Sequence, residues 1–190
     1  TIDGYLGNAD LLDYARYTID ITVDLSQHQA TGLTHVSNVE DVTGGSGNDR
    51  ITGDDKNNVI NGGPGNDILT GLGGDDYYMF QDNWGSDTVV EAGGGGQDTI
   101  SFYAYVGDTI TSSAVPVTAN LVFRLDNAGI WDTVIDEANV ENSLLFSSRM
   151  IEYAFGGVGR DSLYTLDTES VFVLDGVNQD ADPGFTPDAY

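Results

Sequence analysis

Asp49, Asn58, Asp67 and Asp76 recur at nine-residue intervals, each five residues after a glycine and two before an apolar or aromatic side chain. Carboxylates at so regular a spacing can act as acids and bases toward a substrate, or as ligands to a cation. The frame runs over residues 44–79 as GGSGNDRIT, GDDKNNVIN, GGPGNDILT and GLGGDDYYM. Its first six places, rich in glycine and asparagine, can adopt φ > 0 and make a tight turn. The last three form a minimal strand whose middle side chain points one way and whose flanks point the other. Turn, strand, turn, strand closes one coil from two units, so residues two units apart stack. Asp49 then lies above Asp67 and Asn58 above Asp76, with Ile51 over Leu69 and Ile60 over Tyr78 inside. Stacked aspartates repel without a counter-ion, and glycine turns leave carbonyls without partners. Together they form an all-oxygen cage with two carboxylates. Such a cage suits calcium better than magnesium, which demands a strict octahedron, or zinc, which prefers nitrogen or sulfur.

The acid–base alternative is weaker. A glycosidase needs two acids flanking one bond, and the turn pattern already accounts for most acids here. No GxSxG, HExxH or P-loop is present. His28 and His35 could serve as a base or a zinc pair, but two histidines without cysteine read as ordinary loop or edge residues. The chain is read as not an enzyme.

The elements that position these turns extend the frame in both directions. Upstream, HVSNVEDVT (residues 35–43) keeps Glu40 at place six and Val42 at place eight. Downstream, after a slip of two residues, DNWGSDTVV carries Asp87 and Val89, and after a second slip GGGGQDTIS carries Asp98 and Ile100. A late copy, GGVGRDSLY, carries Asp161 and Leu163. A longer echo relates NVEDVTGGSGNDRI to MIEYAFGGVGRDSL, and DLLDYARY to DTISFYAY. The expectation is an all-β chain: a right-handed parallel β-roll or β-solenoid forming one elongated domain over residues 1–175. Nonapeptide blocks fall at about 35–101 and 147–173, strand-like spacers at 10–34 and 102–146, and a polar tail or linker at 176–190. No amphipathic helix is anticipated. In YYMF, alternation sends Tyr77 and Met79 outward, while Tyr14, Tyr78 and Phe102 fill the core. The other tyrosines, with Trp84 and Trp131, offer a sugar-binding or assembly surface.

Composition agrees with a cation partner. With 6 basic and 31 acidic residues and a net charge of −25, the chain lacks the charge to displace counterions from nucleic acid. It is equally unsuited to anionic lipid, and its self-repulsion when compact calls for a cation. There is no cysteine, so neither disulfides nor thiolate metal sites arise, and no apolar run reaches the ~20 residues of a membrane helix. Thr1 is not an initiator methionine, so a processed chain or a piece of something longer is anticipated.

The hexapeptides GGSGND, GGPGND, GGGGQD and GGVGRD resemble the RTX, or haemolysin-type, calcium-binding nonapeptide. The resemblance implies a β-roll in which places two, four and six of one unit bind an ion with places one, three and six of the unit two further on. The place-six side chains and the remaining carbonyls would be the ligands. Carried over, one site uses Gly45, Gly47 and Asp49 with Gly62, Pro64 and Asp67. A second uses Gly63, Gly65 and Asp67 with Asp82, Trp84 and Asp87, and a third Leu72, Gly74 and Asp76 with Gly93, Gly95 and Asp98. Gly157, Gly159 and Asp161 belong to the late copy. The odd unit pairs Asn58 with Gly71, Gly73 and Asp76, and has Lys56 where glycine normally allows the turn. It reads as a degenerate repeat with weak or no calcium, in preference to one whose Lys56 replaces the ion's charge.

The resemblance further implies a secreted or cell-surface bacterial protein, exported unfolded by type I secretion and folded by several calcium ions. Three roles follow. The leading one is a structural building block of a surface layer, filament or adhesin, self-associating into fibres or layers. The others are a calcium-dependent module binding surface glycans, and the secretion and folding module of a larger extracellular enzyme.

Overall fold

The computed structural model describes residues 1–4, 10–81, 83–91 and 96–102, together with the backbone of five later strands. Strands at the amino-terminal end are β1 (Ile2–Asp3), β2 (Leu11–Asp13), β3 (Thr22–Asp24), β4 (Gln29–Ala30) and β5 (Val36–Ser37). The repeat supplies β6 (Asp41–Thr43), β7 (Arg50–Thr52), β8 (Val59–Asn61), β9 (Ile68–Thr70), β10 (Tyr77–Met79), β11 (Ser86–Val90) and β12 (Thr99–Ser101). Beyond it lie β13 (Leu121–Leu125), β14 (Trp131–Asp136), β15 (Ser143–Ser147), β16 (Tyr153–Phe155) and β17 (Ser162–Thr165). No helix occurs among the described residues, and the fold is an all-β roll.

Successive units alternate between two sheets. One runs β16-β12-β10-β8-β6-β2, the other β17-β13-β14-β15-β11-β9-β7-β3-β4, and β1 pairs with β5 separately. All pairings within the repeat are parallel, with Ile51 beside Leu69 and Ile60 beside Tyr78. Both slips are absorbed without loss of register: Leu69 pairs with Val89 and Tyr78 with Ile100. A shift of one residue would turn every buried side chain outward, so each slip must be even.

The middle residue of each short strand faces the core. Val42, Ile51, Ile60, Leu69, Tyr78, Val89 and Ile100 are buried in one cluster with Leu12, Val23 and Phe102. Tyr77 and Met79 are half-buried, flanking buried Tyr78 and Phe80. The place-nine side chains of Asn61 and the matching Ser101 depart from the pattern and are buried. Trp84 is a correction to the surface aromatics: it is buried, with its ring edge-on to Phe102 at 5.2 Å. The spacers bring antiparallel pairing into an otherwise parallel architecture, at β3–β4 and along β13–β14–β15.

Candidate metal centre

Each turn folds its place-six side chain back beneath its own first residue. A Cβ on Gly44, Gly53, Gly62 or Gly71 would collide with the side chain of Asp49, Asn58, Asp67 or Asp76 respectively. Glycine at place one is therefore required by space, with or without a left-handed φ. The neighbouring turns press equally close. A Cβ on Gly63 would strike the Gly45 carbonyl, one on Gly65 the Gly47 carbonyl, and one on Gly85 the Gly65 carbonyl.

Place-six carboxylates link the coils. Asp67 Oδ1 accepts the Asp49 N–H at 2.7 Å, and Asp87 Oδ1 accepts that of Asp67 at 2.8 Å. In the other sheet, Asp76 Oδ1 accepts the Asn58 N–H at 2.8 Å and Asp98 Oδ1 that of Asp76 at 3.0 Å. Asp49 Oδ1 takes the N–H of Ile21, which stands at the equivalent point of the spacer. Glu40 Oε2 takes the Asp10 N–H in the same manner.

The place-six oxygen that does not link to the next coil, Oδ2 of an aspartate or Oδ1 of Asn58, divides the units into two kinds. In units one and two, the N–H at place two closes onto it: Gly45 donates to Asp49 Oδ2 at 2.6 Å, and Asp54 to Asn58 Oδ1 at 2.9 Å. In units three and four, place two is left-handed instead, with φ 89° at Gly63 and 84° at Leu72. There Asp67 and Asp76 keep Oδ2 buried without a hydrogen-bond partner, as does Asp87. A buried ionised oxygen without a partner is costly unless a cation neutralises it. Burial pushes the Asp67 carboxyl up to about 7, with Asp49 and Asp20 adding to the rise. It pushes Asp76 to about 8, reinforced by Glu91, Asp98 and Asp54, and Asp87 to about 9, reinforced by Asp67 and Asp49. Asp49 is raised as well, again chiefly by burial. Orphaned carboxylate oxygens in cradles that admit only glycine fit a hard cation held by oxygen.

The structure therefore brings Gly45, Gly47, Asp49, Gly62, Gly63, Pro64, Gly65 and Asp67 into adjacent turns, with Trp84 and Asp87 next in line. Asn58, Gly71, Gly73, Gly74 and Asp76 align likewise, followed by Asp98. Asp82, Gly93, Gly95, Gly157, Gly159 and Asp161 lie outside the described residues. In the odd unit, Lys56 Nζ is 3.4 Å from Glu40 Oε1 and 3.9 Å from Asp54 Oδ2. Its turn is closed by the Lys56 N–H on Asp54 Oδ1 at 2.9 Å, without a left-handed residue. The His28 and His35 rings lie 5.3 Å apart, and no third ligating side chain joins them among the described residues.

Two features escaped the sequence reading. Place five forms its own ladder, in which Asn48 Oδ1 accepts from Asn66, Asn66 Oδ1 from Ser86, Asn57 Oδ1 from Asp75 and Asp75 Oδ1 from Gln97. It reaches the opposite way along the roll from the place-six ladder, and its signal was the Asn or Asp at place five of all four units over residues 44–79. The second is Glu91, a slip residue, which is buried beside Asp76 and Asp98. No curated protein matches the chain. Residues 43–78 match the family model of the RTX calcium-binding nonapeptide repeat in four copies, and this stretch of the chain is an RTX repeat array forming a β-roll.

Proposed function

We propose that the chain is a secreted or cell-surface structural protein whose β-roll is folded and stiffened by calcium, and which serves as a building block of a layer, filament or adhesin. The observation that carries the calcium reading is the set of buried, partnerless Oδ2 atoms on Asp67, Asp76 and Asp87. Asp49 and Asp67 would share one ion with carbonyls of Gly45, Gly47, Gly62 and Pro64. Asp67 and Asp87 would share the next, with Gly63, Gly65 and Trp84 carbonyls and Asp82. Calcium would supply the positive charge, while the chain's own turns supply oxygen ligands already stacked in register. Sites of this kind tuned to about 10⁻⁴–10⁻³ M suit an extracellular setting, which agrees with export of an unfolded chain by type I secretion and folding outside the cell.

The building-block role is supported by the sheet edges. Among the described strands β2 and β4 end the two sheets on one side and β16 and β17 on the other, and Leu11 on β2 is exposed. Edges of this kind pair readily with further strands. Circular dichroism in chelator and in millimolar calcium tests the metal: coil turning to β structure is the expected change, and an unaltered spectrum would sink it. Electron microscopy of the calcium-loaded chain tests the role. Filaments or sheets are expected, whereas monodisperse particles would point instead to a glycan-binding module or an enzyme's folding appendage.

A further inference from the structure

One group of acids does not follow the nine-residue pattern. Asp76, Glu91 and Asp98 are all buried, and each offers an oxygen within 4.8 Å of the others. Two of them are place-six residues. Glu91 is neither at place six nor in the frame, since it belongs to the second slip, directly after β11. The slip thus does more than restore register: it delivers a third carboxylate to a turn that already holds two.

The group is built inward from both walls of the turn. Asp76 is 1% exposed, and its Oδ2 has no hydrogen-bond partner. A Cβ on Gly71 would run into Asp76 Oδ2, Glu91 Oε1 and the Tyr78 hydroxyl together, so these three oxygens converge on one small space. Tyr78, fully buried at place eight, donates its hydroxyl to Glu91 Oε1. A core side chain thereby fixes the direction of the glutamate. Oxygens sharing a calcium at 2.3–2.6 Å can be at most about 4.6–5.2 Å apart, so the spacing admits a single ion. Three carboxylates so close in a chain of net charge −25 repel strongly in a low dielectric, and one cation relieves all three pairs.

Resting on the calcium reading above, we propose that the slip adds Glu91 to the Asp76–Asp98 pair of the repeat to form a three-carboxylate calcium site, with Glu91 a direct ligand and Tyr78 its positioning residue. Because ligand charge count sets affinity, this site fills first as calcium rises, and it prefers trivalent lanthanides more strongly than the others do.

The test is calorimetric calcium titration of the whole chain, with Glu91→Gln and Asp67→Asn beside the wild type. One ion should bind roughly tenfold or more tightly than the rest. Glu91→Gln, which keeps the shape and the Tyr78 contact, should lose that class alone, whereas Asp67→Asn should retain it. An isotherm unchanged by Glu91→Gln overturns the proposal. Absence of all binding in the wild type would instead overturn the calcium reading beneath it. Should Glu91→Gln not fold, a terbium-soaked crystal of the wild type decides: an anomalous peak between the three carboxylates upholds the site. Peaks only at Asp49 and Asp67 overturn it. Tyr78→Phe, which keeps the buried ring, should weaken the tight class severalfold and leave the other calcium classes unchanged, a selectivity that loss of packing alone does not produce.

Discussion

Asp67 accepts the backbone N–H of Asp49 through one carboxylate oxygen at 2.7 Å and leaves the other buried without a partner. The first bond holds two coils in register, and the second oxygen awaits a cation. Asn58 shows what happens at the same place without the charge. Its Oδ1 takes the Asp54 N–H, and its Nδ2 donates to the Glu40 carbonyl at 2.9 Å, so both side-chain atoms are satisfied. Asp67→Asn should therefore have opposite effects on the two states. In chelator above about pH 7, where its carboxyl ionises, it removes an unpaired buried charge and should stabilise the roll by about 1–2 kcal/mol. In calcium it removes a ligand and should raise the folding midpoint roughly tenfold. Calcium titrations followed by circular dichroism measure both, and a shift of the two states in the same direction would contradict this account.

Lys56 stands over the acid that begins the other ladder, 3.4 Å from Glu40 and 3.9 Å from Asp54. The lysine side chain is more than half exposed, so solvent and salt weaken the pair, and a contribution of about 0–1 kcal/mol is appropriate. Lys56→Gln should lower stability in chelator by no more than that, with the difference disappearing in about 1 M salt. Thermal melts at low and high salt check it. A larger loss that persists in salt would mean that Lys56 truly substitutes for an ion there.

The glycines are not equivalent, and two of them separate the reasons for their presence. At Gly62 a Cβ would meet the Asp67 carboxylate at its Oδ2, Cγ and Cβ. At Gly73 it would meet only Asp55 atoms at 3.6 Å, ordinary contact, and the backbone is not left-handed there. Gly62→Ala should cost the calcium-loaded roll about 2 kcal/mol or more by displacing a ligand and overpacking the turn. Gly73→Ala should be neutral or stabilising by up to about 1 kcal/mol, because it narrows the unfolded ensemble. Denaturant unfolding in calcium distinguishes them, and equal losses would show that the collision at Gly62 is readily relaxed.

What the sequence made legible follows from how each feature is encoded. Register was legible because Ile51, Ile60, Leu69 and Tyr78 must all face one core, and strand alternation leaves a single phase that achieves this. The place-six acids were legible for the same reason, being fixed two residues before each core position. Glu91 was not, because it occupies a slip, which a periodic reading treats as an interruption; Phe80, in the other slip, was turned inward only by strand alternation from Tyr78. Only closure of the coil places Phe80 against Phe102, at 5.3 Å, and Glu91 against Tyr78. Trp84 failed differently. A tryptophan in a glycine-rich turn reads as exposed, and its burial depends on Phe102, a residue of the later coil. The Asn48–Asn66 bond was hidden because asparagine in such a stretch is already accounted for as a turn former.

The raised carboxyl groups make the calcium-free roll sensitive to pH and leave the calcium-loaded roll nearly insensitive. Asp67, Asp76 and Asp87 hold their protons in the calcium-free roll up to about 7, 8 and 9, against an ordinary value of 3.8. Burial is the main cause in each. Below that ordinary value both folded and unfolded chains are protonated there, and these groups contribute their full stability to the roll. As pH rises beyond it, the unfolded chain releases protons that the roll retains, so stability falls until the last folded group titrates near 9. Calcium requires the same groups ionised, so its binding expels protons and strengthens over that range. Melting curves from about pH 5 to about pH 9 should thus decline in chelator, while calcium affinity climbs. Asp67→Asn should flatten both slopes by removing one titrating group. A calcium-loaded roll that loses stability with rising pH as steeply as the calcium-free one would show that these carboxylates do not meet the ion.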